Sequence, residues 1–391
     1  AMWASLQSPL PVTVWVAQGR PHTARTEAQL GALGWRRRRE FDAAAMSVWE
    51  IDNAAYSRGG VVRAWAEREN RRGALNFQEL VSMVPALLLA PERSHACLDL
   101  CAAPGNKSLQ LLEALRARGA GGPWPSEEDG AVVSGEVDLE RGAAVLPRFL
   151  SRMASPSSCV VHMNAQRFPV LLGPDGERLG FARVLLDAPC SGDGTARKSA
   201  QVWSSWNRKA ALELHGRQRN MLLRALYLLP AGGLLAYSTC SLNPLENEAV
   251  VLSALRKWRR DASWVEASGE TAAWARHGEA LDLEDACALL GRCCGLRADR
   301  GLPGWLVPAP ERGGPLYAAW GEVPAELRAD GGAGRHRWAL RAEMFAGGGG
   351  EARAEELERC ARFYPHRCDT GGFFVALFRK SAAGAALAVP R

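Results

Sequence analysis

The chain is 391 residues long, 47% hydrophobic, and carries a formal net charge of +6. That length suits about two or three domains with a sizeable core, and no run of about 18 or more apolar residues offers a membrane span. The charge is a mild basic excess that permits a polyanionic partner without requiring one, and no charged segment followed by an apolar stretch reads as a secretory signal.

Residues 10–16 (LPVTVWV) alternate as a short strand and lead into a basic, helix-like stretch with WRRRRE at 35–40. A second basic segment, VVRAWAERENRRG, covers 61–73. NFQELVSMVPALLLAP (76–91) reads as one helix, kinked at Pro85 and stopped by Pro91. These features set a small N-terminal module at 1–92 apart from a larger domain at 93–391.

From about residue 95 strands and helices alternate. Strands are predicted at 96–101, 131–137, 159–163, 182–188 and 233–239, and helices at 106–119, 139–153 (in spite of Pro147) and 207–229. Such alternation predicts an α/β fold, a doubly wound, Rossmann-like parallel sheet with helices on both faces. Asn243 as cap, Pro244 at the first helical position and Glu246 three residues after the cap predict a further helix to about 258. Residues 262–345 are less regular and read as an insertion, GGGG (347–350) as a flexible joint, and GGFFVALFRK (371–380) as a late strand. The small, apolar tail to Arg391 carries no pattern.

The ten cysteines include no C-x-x-C pair, so neither a zinc knuckle nor another metal site is expected, and reduced thiols are the default. LDLCAAPGNK (98–107) joins a strand to a helix, and its small residues let a ligand approach the backbone. It is neither a G-x-G-x-x-G loop nor a P-loop. Glu136 ends the next strand, where an acidic residue bonds ribose hydroxyls, although it and Asp138 also suit a solvated helix start. Three successive loops, 101–107, 136–138 and 163–165, match the carboxylate, ribose and adenine of S-adenosylmethionine.

Two further turns each carry one thiol after an apolar strand: RVLLDAPCSGDGTARK (183–198) with Cys190, and GLLAYSTCSLNP (233–244) with Cys240. Together with LDLCAAPGNKSLQLLE, AYSTCSLNPLENEAVV, NFQELVSMVPALLL, VWSSW and LERCARFYPHRCDTGGFFVALFRK, they resemble the Nop/Sun family of RNA 5-methylcytosine methyltransferases. Within that family the chain is most similar to the eukaryotic tRNA cytosine-5 methyltransferases. The resemblance covers nearly the whole chain and is strongest at 76–258 and 355–380. It implies a class I methyltransferase sheet, S-adenosyl-L-methionine as cofactor, and RNA, tRNA first, as substrate.

Carbon 5 of cytosine is a poor nucleophile. A thiolate added at carbon 6 turns the ring into an enamine, and a base must later remove the carbon 5 proton before the thiolate leaves. The local sequence does not order the two thiols, and Pro189-Cys190 even looks like the nucleophile setting of DNA cytosine-5 methyltransferases. The resemblance makes Cys240 the nucleophile and gives Cys190 the release step. It also implies Asp187 beside the target base and cofactor, and Lys107 close to the active site. The cofactor would lie against Cys101, Ala102, Ala103, Pro104, Gly105, Asn106, Lys107, Glu136, Asn164 and Asp187. Two positions depart from the family pattern: Glu136 and Asn164 stand where relatives carry aspartate for the ribose and near the adenine. Asparagine keeps a donor and an acceptor but loses the charge.

Candidates for RNA contact are Arg36 to Arg39, Arg71, Arg72, Arg197, Lys198 and the segment 335–341, each of which suits a solvated or packed role better when taken singly, with Trp203 and Trp206 either stacking or packed. The target base has to leave its stack for a thiol to reach carbon 6. The expected partner is RNA alone, with a monomeric protein, no membrane and a nuclear location. The alternatives are the same chemistry on ribosomal or messenger RNA, or an RNA-binding relative without catalysis. Methylation of DNA would leave STCSLNP unexplained.

Overall fold

Alternating side chains on a short strand, Val14 and Val16 one way and Trp15 and Ala17 the other, set two cores side by side. The strand is β1 (Val12–Val16) in a computed structural model that describes residues 1–18, 20–44, 46–117, 129–153, 155–260, 280–329, 336–347 and 353–381. With β2 (Arg36–Arg37), β3 (Ser47–Ile51) and β4 (Leu75–Phe77) it forms an antiparallel sheet in the order β2-β3-β1-β4. Helices α1 (Thr23–Ala32) and α2 (Gly60–Arg71) close one face over Leu30, Trp49 and Trp65. Trp15, Phe41 and Val48, from the opposite face and its flank, join the core of the larger sheet.

Residues 76–91 do not form the single helix predicted from sequence. Leu75–Phe77 is β4, Val81–Met83 is a 3-10 turn, and only Val84–Leu89, here α3, is α-helical. Pro85 stands in the first turn, where its missing N–H leaves no bond unmade, so it starts the helix instead of kinking it. Val84, Leu88 and Leu89 bury into the core under the large sheet, so the first 92 residues supply elements to both sheets.

The large sheet has five parallel strands: β5 (Cys97–Asp99), β6 (Val132–Glu136), β7 (Ser158–His162), β8 (Arg183–Asp187) and β9 (Leu234–Thr239). They lie in the order β9-β8-β5-β6-β7, so the chain runs outward from β5 and then returns to its other side. The parallel, doubly wound architecture is the one expected. Helices α4 (Asn106–Ala117), α5 (Arg208–Leu228) and α6 (Glu248–Arg260) cover the faces. The predicted helix 139–153 is broken into a π-turn (Arg141–Val145), a short α-helix (Leu146–Leu150) and a 3-10 turn, with Pro147 again in a first turn.

Beyond β9 the sheet turns antiparallel. β10 (Ala280–Glu284), β11 (Asp299–Arg300), β12 (Ala361–Phe363) and β13 (Phe373–Ser381) extend it, with β13 paired to β9, β10 and β12. β10 falls inside the segment predicted to be an irregular insertion. Residues 262–279, the glycines at 348–350 and the tail from 382 lie outside the described residues. Among the described residues no helix is long and apolar enough to cross a membrane.

One buried ion pair ties α6 to β12. Arg362 Nη2 donates to Glu248 Oε2 at 2.6 Å, and both side chains are almost fully enclosed. Arg362 Nη1 also donates to the Leu242 carbonyl, and Glu248 accepts from the Leu302 N–H. Glu248→Ala strands a guanidinium in the core and is expected to lower the unfolding free energy by about 3–5 kcal/mol, measured by denaturant titration.

Candidate active site

The chain reverses direction in the sheet between β5 and β8, and open α/β sheets bind ligands in the crevice outside such strand ends. A cavity of about 550 Å³ lies there, walled by Asp99, Cys101, Asn106, Lys107, Asp187 and Cys240 among others. Ala102, Ala103 and Pro104 line it as well. Gly105 closes the turn with φ +118°, and a Cβ there would press on Phe149 Cδ1 at 3.0 Å and Leu146 Cδ1 at 3.1 Å. The predicted turn 101–107 is therefore one wall of a real cleft.

Glu136 and Asn164 are placed differently. Glu136 is buried at the end of β6, and its carboxylate accepts from the backbone N–H groups of Ala103 at 3.3 Å and Asp138 at 3.0 Å. It thus braces the 101–107 turn from behind. Asn164 follows β7 and spends its Oδ1 on the Gln166 N–H at 2.9 Å. Neither lines the 550 Å³ cavity.

Sequence reasoning missed Asp99. It is fully buried, its Oδ2 accepts from Ser108 Oγ at 2.7 Å, and burial pushes its carboxyl up to about 7. Its Oδ1 and the Oδ1 of Asn106 are buried without a hydrogen-bond partner in the structure. Two such acceptors on one cavity wall suit a ligand that brings its own N–H donors, such as an α-ammonium group. Cys101 beside them is held as the neutral thiol by burial and by the carboxylates of Asp99, Asp187 and Glu136.

Lys107 crosses the cleft. Its Nζ donates to Asp187 Oδ2 at 2.6 Å and to Ser82 Oγ at 2.9 Å, and it lies 5.5 Å from the Phe373 ring centroid. Asp187 Oδ1 accepts from Ser238 Oγ at 2.7 Å, across the β8–β9 register that pairs the two residues. The structure therefore brings Lys107 and Asp187 together, as expected, and adds Ser82 and Ser238.

Cys190 and Cys240 meet, with their Sγ atoms 3.3 Å apart. The contact with Cys240, and then burial, push the Cys190 thiol well up, and the nearby carboxylates of Glu246 and Asp187 act the same way. The two cysteine loops are also tied through the backbone. Gly194 N–H donates to the Cys240 carbonyl at 2.9 Å, and Gly372 N–H donates to the Gly194 carbonyl at 2.8 Å. A Cβ at Gly194 would collide with the carbonyl oxygens of Cys240 and Gly372, so only glycine fits.

Glu246 departs from its predicted part as a helix-cap partner. The helix begins at Glu248, and Asn243 N–H bonds Ser241 Oγ at 3.0 Å instead of reaching the Glu246 carboxylate. That carboxylate turns inward to Ser191 and Ser241.

Of the residues considered for an RNA surface, Arg197 lies inside the protein and several others pair with carboxylates at the surface. Arg197 is buried and donates to the carbonyls of Ser8, Pro9 and Thr370 and to Asp369. Arg36 and Arg38 pair with Glu50, and Arg37 pairs with Asp42. Arg71 and Arg72 remain exposed. Trp203 and Trp206 are 47% and 40% exposed, with their N–H groups tied to the Ala196 carbonyl and Ser191 Oγ. They are therefore not packed in the core.

Residues 86–279 match the family described as 16S rRNA methyltransferase RsmB/F. The chain is 38% identical over 317 residues to a multisite-specific tRNA:(cytosine-C(5))-methyltransferase of Saccharomyces cerevisiae, covering 80% of this chain and 40% of that protein. It is 36% identical over 319 residues to a tRNA (cytosine(34)-C(5))-methyltransferase of Drosophila melanogaster, covering 80% and 38%. The chain thus spans about two fifths of the length of these curated relatives. A methyltransferase homologue from Pyrococcus horikoshii shares the fold at TM-score 0.57 and 21% identity, over 97% of this chain and 90% of that one.

The elevated Asp99 carboxyl makes a stability prediction. Its folded value of about 7 lies above the ordinary 3.8, so the folded state holds a proton that the unfolded state gives up. Its contribution is full below about pH 4 and is lost as the pH rises through about 7. Asp99→Asn lacks that loss. Denaturant unfolding of both proteins at pH 4.5 and 7.5 is expected to show the variant's relative stability rising with pH.

Proposed function

Because the chain belongs to the RsmB/F (Nop/Sun) family of RNA methyltransferases, we propose that it methylates carbon 5 of cytosine in RNA, with tRNA as the first substrate and the nucleus as its compartment. The observation that carries this reading is the pair of thiols 3.3 Å apart, of which Cys240 lines a cleft that also presents Lys107 and Asp187. A catalytically silent RNA-binding relative would need neither. The names of the tRNA relatives, matched over 80% of the chain, favour tRNA over ribosomal RNA.

The residues divide the work as follows. Cys240 Sγ, which lines the cleft, adds to carbon 6 of the extruded cytosine. Asp187, fixed from both sides by Lys107 and Ser238, bonds the ring as charge develops. The turn 101–107, with Asp99 and Asn106, would hold S-adenosylmethionine, which supplies an electrophilic methyl group when bound. With the two sulfurs 3.3 Å apart, Cys190 can donate its S–H to the sulfur of Cys240. Release then breaks the carbon 6–sulfur bond as a base takes the carbon 5 proton. Cys240 departs as a thiolate, stabilised by the Cys190 hydrogen bond.

RNA phosphates would land on the small sheet's helices. A second cleft, of about 390 Å³, is lined by Arg20, His22, Arg25, Arg68 and Arg72 against the single carboxylate of Glu69. Arg25→Ala and Arg72→Ala are expected to weaken RNA binding alike for all sequences and to reduce the salt slope by about 1 for each phosphate no longer neutralised. Filter binding across a salt series measures both.

The covalent step is tested with wild type, Cys190→Ala and Cys240→Ala, each mixed with tRNA and S-adenosylmethionine and run on a denaturing gel. Cys190→Ala alone is expected to hold RNA. Retention by Cys240→Ala instead would exchange the roles. Retention by none, with no methyl transfer by wild type to tRNA, ribosomal or messenger transcripts, would sink the enzyme reading.

A further inference from the structure

Glu246 is completely buried, yet among the described residues it touches neither the cleft nor any charged partner that would account for it. Its carboxylate instead collects donors from the two loops that carry the thiols. Oε1 accepts from the Ser191 N–H at 2.7 Å, and Oε2 accepts from Ser191 Oγ at 2.6 Å and Ser241 Oγ at 2.7 Å. Ser191 follows Cys190 in the chain and Ser241 follows Cys240. Gln218 Nε2 lies 3.4 Å from Oε1 and donates to the Pro189 carbonyl at 2.9 Å, which fixes the other side of Cys190. The hydroxyl of Tyr237, two residues before the end of β9, donates to the Glu246 carbonyl.

We propose that Glu246 is the positioning residue that sets the spacing of Cys190 and Cys240, and that it serves release of the methylated RNA more than the attack. The inference rests on the covalent reading above and deepens it. Attack requires Cys240 alone at carbon 6. Release requires the Cys190 S–H to meet the departing sulfur, so it depends on the two loops being in register. One carboxylate bridging residues 191 and 241 fixes that register one residue away from each sulfur.

The bridging group must have the reach of this side chain. Asp shortens the arm by one methylene and cannot reach both loops at once. Gln keeps the length and replaces one oxygen with an amide N–H₂. Placed at the Oε2 position, that group faces two serine hydroxyls, which can rotate to accept. Conservative length is therefore expected to matter more than charge.

The experiment compares wild type, Cys190→Ala, Glu246→Asp, Glu246→Gln and Ser191→Ala, with tRNA and S-adenosylmethionine, by denaturing gel and by methyl transfer. Glu246→Asp is expected to lose about 100-fold in turnover, the size of a misplacement of about 1 Å. It is also expected to hold RNA on the gel as Cys190→Ala does, although both of its cysteines are intact. Glu246→Gln regains most of the release. A merely structural role would lower adduct formation and methyl transfer together and leave no RNA retained; that result with a folded Glu246→Asp overturns the proposal. Should Glu246→Asp fail to fold, Ser191→Ala decides, since it removes one bond of the set. Several-fold more retained RNA than wild type upholds the inference, and wild-type release overturns it. If Cys190→Ala itself holds no RNA, the covalent reading fails and takes this inference with it; if it does hold RNA and the Glu246 and Ser191 variants do not, only the inference fails.

Discussion

The contact between Lys107 and Asp187 is the constraint around which the cleft is built. Its two ends stand on different elements, one in the first turn of α4 and the other on the last residue of β8, at the place where the sheet reverses direction. A pair so little exposed contributes little net stability, because desolvation of both ions offsets most of their attraction. Its effect is geometric. Ser82 and Ser238 satisfy further bonds of the ammonium and the carboxylate, so a 3-10 turn, an α-helix and two strands meet at one point.

Burial acts on the rest of the cleft in one direction. Asp99, Cys101, Cys190 and the supporting Glu246 are all pushed toward their neutral, protonated forms by desolvation or by each other's proximity. A site of this kind admits anions poorly and rewards a ligand that brings positive charge and N–H donors to the two unpartnered acceptors, Asp99 Oδ1 and Asn106 Oδ1. Two sulfurs in contact do not both ionise readily, and the Cys240 contact and burial favour the neutral form of Cys190.

What could be read from the sequence followed from local pattern. The parallel strands, the small-residue turn at 101–107 and the two cysteine turns are each written within a few consecutive residues, and each lies at the strand end where the pattern placed it. The misreadings share a cause in distance along the chain. Glu246 stands three residues after a good cap, which is the local signature of a capping box, but its carboxylate is claimed by Ser191, 55 residues away. Arg197 looks like a surface cation beside Lys198 until Ser8, Pro9 and Asp369 close around it. Residues 76–91 have an apolar helical face, yet pairing with β1 draws the first of them into a strand, a tertiary contact that helix propensity does not contain.

That strand also ties the small sheet to the cleft. Gln78, just past β4, accepts from the Trp15 indole N–H at 2.9 Å, and its Nε2 donates to Gln110 Oε1 on α4 at 2.6 Å and to the Ser82 carbonyl at 3.0 Å. Ser82 in turn bonds Lys107, one turn before Gln110 on the same helix. The cationic cleft lies against the other end of β1, where Gln18 N–H meets Glu113 of α4. The small sheet and α4 are therefore pinned to each other at both ends of β1. On the proposed function, phosphates bound at α1 and α2 would thereby stand at a fixed distance from Asp187 and the thiols. Orientation of this kind is worth many orders of magnitude in effective concentration when one base has to be presented to one sulfur. It requires no movement of the protein, only that the two sheets share the core into which Trp15, Phe41 and Val48 are packed.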